Sequence, residues 1–337
     1  MWITKSGILI SSVLLVLQLS GQGVTLHAQD SLQPPIVTRL GDGPIITPYM
    51  DDRMGSNIQG PALIRVPDWI DNPLGKYYLY FADHRGTYIR LAYADELLGP
   101  WSMYEPGTLQ LEDSHFPVIC PPCAPNPGST APLYAHIASP DVHVDESAQR
   151  IIMYVHGRDA GSQLTRLAVS TDGLNFTGRP EVLGRPYFRV IEHDGFHYAL
   201  SMPGFFYRSP DGLGDFEEGP RFFNDMMRHN ALLIRDDTLH IFWTQAGDAP
   251  ERIYMNTIDL NDDWEAWELS ESVEVLRPQA DYEGAGLPIS PSRRGHIDER
   301  VNQLRDPAIF EEDGRVYLLY AVAGEHGIAI AELTFPD

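Results

Sequence analysis

The sequence predicts an all-β fold, a five-bladed β-propeller, and three observations carry that reading. The first is the stretch from Leu304 to Glu332, where short β-rich runs alternate with turn signals. Pro307–Phe310 leads into Glu312-Asp313-Gly314, Val316–Val322 follows, then the loop Ala323–Gly327, then Ile328–Leu333. Such runs read as an antiparallel meander. The alternation in Tyr317-Leu318-Leu319-Tyr320 is imperfect, so both faces are expected to be covered. The second observation is that the same order recurs four more times, over residues 57–94, 136–171, 187–209 and 228–259. Each copy has a polar opening, an apolar strand, an Asp- or Gly-containing turn, an aromatic-rich strand, a loop and a third strand. The third is the spacing: several strands per roughly 40–50 residues is a propeller period. A β-sandwich with similar turns is the competing architecture.

In chain order, Met1 to Ala28 has a lysine, an apolar run from Ile8 to Leu19 and a small residue at its end. This is the form of a secretory signal peptide, too short in its apolar part to span a bilayer comfortably. Residues 29–337 are then one propeller domain, expected to be secreted or periplasmic. No cysteine follows the apolar run, which argues against a lipid anchor. Ile36–Ile46 is a candidate for the strand that closes the ring. With 43% hydrophobic and 10% aromatic residues the chain is of the globular class. A formal charge of -23 argues against nucleic acid as partner. It leaves room for an acidic sugar, because local arginines can reverse the field inside a pocket.

Cys120-Pro-Pro-Cys123 lies in a Pro-rich stretch with no helix after it. In an oxidising compartment a local disulfide is the leading reading, with free thiols or a metal or redox site as the others. The loop Glu112–Leu133 around it is long enough to roof a pocket.

The openings of three blades carry Gly60-Pro61, Ser139-Pro140-Asp141 and Arg305-Asp306-Pro307, and two second strands read YYLYF and YLLY. In these features the chain resembles the five-bladed glycoside hydrolases related to family 43 and the fructan-hydrolysing families. The resemblance covers nearly the whole chain after the leader, at the level of architecture. It implies a pair of carboxylates at the funnel, one to protonate the leaving oxygen and one to activate water or attack carbon. Here Asp306 is in register, Asp141 stands one place further on, and Glu325 and Asp83 project from loops.

The funnel instead collects imidazoles and guanidiniums. His84-Arg85 and His156…Arg158 occupy equivalent places after or near the second strands of two blades; His136 and His229 stand at two openings, with Arg228 and Arg305 beside openings. His143, His193, His197 and His240 sit within strands or turns and read as structural. Arginine grips a carboxylate in bidentate geometry and stabilises the charge that develops when the neighbouring proton leaves. A histidine or tyrosine takes that proton and a second group protonates the leaving oxygen. That chemistry is β-elimination from a uronic acid, by a lyase or a dehydratase, and it resembles propeller lyases acting on uronate-rich glycans such as ulvan. His84, His156, His229 and Tyr207 are the catalytic candidates, with Tyr88 a further tyrosine. Arg85, His136, Asp141, Arg158, Arg228, Arg305, Asp306 and Glu325 are the substrate-binding candidates. The expected partner is an oligo- or polysaccharide, with no nucleic acid and, after leader cleavage, no membrane. No cofactor is certain; His136, Asp141 and His143 with one more histidine make a divalent zinc or calcium site a competing use. A hydrolase using Asp306 with Asp141 or Glu325, and a non-catalytic glycan-binding propeller, remain the alternatives.

Overall fold

The computed structural model describes residues 32–119, 134–159, 161–261 and 263–336. The leader and the Cys120/Cys123 pair lie outside the described residues, as does most of the Pro-rich loop. The rest forms five small antiparallel sheets in the blade arrangement the repeats predict. Blade one holds Gln59–Arg65, Tyr77–Ala82 and Tyr88–Ala94 with the short outer strand Ser102–Met103. Blade two holds Ile137–Asp145, Arg150–Asp159, Ser162–Ser170 and Thr177–Gly178. Blade three holds Arg189–His193, Phe196–Ser201, Phe205–Ser209 and Glu217–Arg221. Blade four holds Met227–Arg235, Thr238–Gln245, Ile253–Asp259 and Val273–Leu276. Blade five holds Arg305–Glu312, Arg315–Ala321 and Ile328–Thr334, and its outer strand is Ile36–Arg39 from the other end of the sequence. That pairing, Ile36 opposite Thr334 and Arg39 opposite Ala331, closes the ring as expected from the sequence.

The apolar core is divided into five clusters, each between neighbouring blades. This explains why the second strands lack clean alternation. Tyr78 and Tyr80 point into the cluster shared with blade two, while Leu79 and Phe81 point into the cluster shared with blade five. Successive side chains still face opposite ways, but neither face meets water.

The inner strands bend at one recurring place. Gly60, Ser139 and Asp306 take left-handed backbone conformations (φ 64, 47 and 48°), and each precedes a proline. The ladder register slips at these points, between Gln59 and Ala62, Ala138 and Asp141, and Arg305 and Ala308. A bulge of this kind re-aims the side chains next to it. At Gly60 a Cβ would stand 2.7 Å from the Ser139 Cα. Gly60→Ala is therefore expected to cost about 2–4 kcal/mol, from left-handed strain plus overpacking. A fall in the urea midpoint at unchanged slope would show it; an unchanged midpoint would contradict the close approach.

Candidate active site

Antiparallel pairing sets the start of each inner strand beside the end of the second strand. Ala138 faces His156, Arg305 faces Ala321, and Gln59 faces Ala82. The openings and the loops after the second strands therefore gather at one end of the propeller axis. There they surround a cavity of about 1250 Å³. His84, Arg158, Tyr207, Arg228, His229 and Arg305 line it.

Two carboxylate–imidazole pairs form part of this end. Nδ1 of His229 lies 2.8 Å from Asp306 Oδ1, at contact distance though not in ideal hydrogen-bond alignment, and its buried Nε2 makes no hydrogen bond among the described residues. Nδ1 of His84 lies 3.2 Å from Glu325 Oε1. Both carboxylates are fully buried. Burial pushes His229 below its ordinary value, against the pull of Asp306. Burial alone would raise the Glu325 carboxyl; His84, Arg305 and Asn57 together hold it well below the usual carboxylate range. Glu325 is thus an anion that accepts hydrogen bonds, not a store of protons.

The rings form a continuous arc. In order it runs His84, His296, Tyr134, His136, His156, Tyr187 and His229, with centroid separations of 6.1, 6.1, 5.3, 5.7, 4.0 and 4.9 Å. His136 is set by Gln163, whose amide lies 3.3 Å from its Nε2, and by the Tyr134 carbonyl 3.3 Å from its Nδ1. Burial lowers His136 to about 4 and His156 well below its ordinary value, and the neighbouring histidines add to the shift. The Tyr134 phenol is pushed up to about 12, chiefly by burial. At neutral pH His136, His156 and His229 are neutral and the phenol is protonated.

Several candidates stand elsewhere than the sequence suggests. Asp141 does not reach this cavity. It sits with His143 (2.8 Å) and Arg189 (4.0 Å) at a separate small cavity of about 130 Å³, lined by all five inner strands beyond the bulges. Its place after the bulge accounts for this: Ser139-Pro140 turns the strand before Asp141 is reached. His136 lies on the other side of that bulge, so the metal set of His136, Asp141 and His143 is not assembled. Among the described residues no group of three His, Cys, Asp or Glu is placed to hold a metal ion. His156 lies behind the cavity wall, 1% exposed, and neither ring nitrogen makes a hydrogen bond within the described residues. Arg85 does not line the cavity itself; it pairs with Asp298 of the wall. Tyr88 packs under Arg53, its ring centroid 4.1 Å from the guanidinium, and is absent from the wall. Tyr207 is at the wall, with its hydroxyl donated to Glu218.

Arg228 and Arg305 also differ from expectation. Both are almost fully buried and their N–H groups meet protein: Glu251, Glu325, Gln303 and the main-chain oxygens of Arg293 and Gly295. Arg158 and Arg293 are cavity arginines whose side chains make no ion pair or hydrogen bond among the described residues. Of the two, Arg158 is the one carried by a blade strand.

Sequence reasoning missed Glu251, Tyr134, Tyr187, His296 and the wall Ser290–Val301. Glu251 was readable: Ala249-Pro250-Glu251 occupies in blade four the loop that Ala323-Gly324-Glu325 occupies in blade five. The wall lies between repeats, where no periodic signal reaches, and Tyr187 stands at the opening of the third repeat, two places before its first strand.

No family model matches the sequence. An uncharacterized protein of Acanthamoeba polyphaga mimivirus is 38% identical over 304 residues, which cover 82% of this chain and 83% of that protein. Solved structures share the fold at low identity. A glycosyl hydrolase from Bacteroides ovatus superposes with a TM-score of 0.61 at 10% identity, covering 89% of this chain and 94% of that one. A protein from a study of glycoside hydrolases within family 130 gives 0.60 at 12%, covering 91% and 99%. A family 43 β-xylosidase/α-arabinofuranosidase from a compost microbial metagenome, solved with xylotriose, gives 0.56 at 14%, covering 89% and 96%.

Proposed function

The chain belongs to the family of this mimivirus protein, and we propose that it is a carbohydrate-active enzyme that cleaves uronate-bearing glycans by β-elimination outside the cytoplasm. The observation that carries this reading is the His229–Asp306 pair: a neutral imidazole at the cavity wall, 2.8 Å from a buried carboxylate, with Nε2 making no hydrogen bond among the described residues. Such an imidazole is a base, and the carboxylate stabilises the imidazolium that forms. Arg158 grips the uronate carboxylate and lowers the cost of the enolate-like charge. The proton beside that carboxylate passes to His229 Nε2. The electron pair of the broken C–H bond becomes the new C=C double bond. The C–O bond to the leaving group breaks, and its oxygen takes a proton from Tyr187, a buried phenol packed on His229 whose acidity burial suppresses.

A hydrolase is the second reading, favoured by the solved neighbours named for glycoside hydrolysis. Its difficulty is chemical. Two acids are needed, one of them protonated, yet Glu325 is held as an anion and Asp141 is remote. Incubation with uronate oligosaccharides separates the readings. Elimination raises ultraviolet absorbance as an unsaturated uronate forms. New reducing ends without that rise mean hydrolysis and overturn the proposal, and retention of intact glycan with neither signal means a binding module.

A further inference from the structure

We infer that Glu251 is a positioning residue of this cavity, which holds Arg228 and Arg305 side by side and through them seats the wall that carries Arg293, Arg294 and His296. The inference deepens the proposed reading and rests on it only for the kinetic part of its test.

Glu251 is fully buried in the loop joining the second and third strands of blade four. One of its oxygens, Oε2, lies 3.1 Å from Arg228 Nη1 and 3.3 Å from Arg305 Nε. Arg305 continues to Glu325 at 2.8 Å, and Glu325 to His84 at 3.2 Å. The chain Arg228–Glu251–Arg305–Glu325 therefore alternates in sign and closes on a cavity histidine. Two buried guanidiniums this near each other repel strongly unless an anion stands between them. Arginine cannot relieve the repulsion by losing a proton.

What the two arginines do with their remaining donors gives Glu251 its role. Arg228 donates to the carbonyls of Arg293 (3.0 Å) and Gly295 (3.4 Å), and Arg305 donates to Gly295 (3.2 Å). Both guanidiniums thus converge on Gly295, at the centre of the segment Ser290–Val301 that makes one side of the cavity. This segment lies between blades and has no strand ladder of its own. Its order depends on such side-chain anchors, together with Asn57 to the Ile297 carbonyl (3.1 Å) and the main-chain exchange between Gly247, Asp248 and Ser292. Without Glu251 the arginines separate and the seat of Gly295 is lost, while the blades, each with its own ladder and core, are untouched.

The test uses the full chain with Glu251→Gln, and with the charge-balanced double variant Glu251→Gln/Arg228→Gln. In Glu251→Gln, amide hydrogen exchange over 290–301 is expected to rise at least tenfold, with the blade strands unchanged. KM for a uronate oligosaccharide is expected to rise at least tenfold in the folded protein, a change that loss of stability alone does not produce. The double variant, which leaves one guanidinium and no buried excess charge, is expected to recover part of the exchange protection. If Glu251→Gln does not fold, the double variant decides: a folded double variant supports the inference, and one that also fails to fold overturns it. Folded Glu251→Gln with native exchange at 290–301 overturns it too. Because exchange needs no substrate, a protein that eliminates nothing refutes the proposed reaction and leaves the wall result standing.

Discussion

His229→Ala is expected to lower elimination by about 10²–10⁴-fold, the range a positioned acid–base group supplies, with far-ultraviolet circular dichroism unchanged. The fold survives because the inter-blade clusters hold the blades together without this side chain. Asp306→Asn is the informative companion. It keeps the shape and removes the charge 2.8 Å from Nδ1, so the imidazole loses its orienting partner and the imidazolium its counter-charge. Under elimination both variants fall by similar factors, because they cripple one unit and their effects do not add. Under hydrolysis Asp306→Asn is the more damaging of the two and His229→Ala retains much of the rate. The rate of unsaturated-uronate formation in the two variants and their combination distinguishes these outcomes. Full activity in His229→Ala ends the assignment.

The architecture was legible because a propeller repeats itself. Five copies of one strand order, each with its turn signal, fix where strands start and stop, and Asp194-Gly195 and Asp313-Gly314 adopt the left-handed pairs such turns need. Another repeat went unread: Ser170-Thr-Asp-Gly and Ser209-Pro-Asp-Gly, where each serine hydroxyl caps the turn by accepting from the glycine N–H. The site was legible only in part. Equivalent positions in different blades gather His84, His229, Arg158 and Arg305 for the same reason that strands pair, so repeat logic finds them. It cannot say which guanidinium is already engaged. Arg228 and Arg305 look like substrate grips in sequence, but their partners Glu251 and Gly295 come from other loops and are brought in by the ring. Nor does repeat logic see a bulge, and one left-handed residue at Ser139 was enough to send Asp141 to the far side. Tyr134 and Tyr187, which complete the arc of rings, stand just before the first strands of their blades, where strand periodicity does not reach.

The same arc makes acid the expected weakness of the fold. A histidine whose folded value lies below 6.5 is neutral in both states above that pH and contributes no pH dependence there. Below 6.5 the unfolded chain takes up protons that the folded chain refuses, so stability falls with falling pH until the folded value is reached. For His136, lowered to about 4 by burial and by His84, that window spans 6.5 to 4. At about 1.36 kcal/mol per unit it amounts to roughly 3 kcal/mol, a large share of an ordinary domain's stability. His156 adds to the same window: burial lowers it first, then His136, His84, His229 and Arg189 around it, and neither of its nitrogens makes a hydrogen bond among the described residues. The carboxylates act in a different range, since the depressed Glu325 begins to cost stability only as pH falls through the ordinary range of an unfolded glutamate. Urea midpoints at pH 7.5, 6.0 and 4.5 should therefore fall already between the first two. His156→Phe keeps a ring against His136 and Tyr187 and removes one titrating group, so its midpoint should fall less steeply over the same interval. Equal slopes for the two proteins, or a flat profile down to pH 4.5, would mean that the imidazoles are not sealed from water as their burial implies.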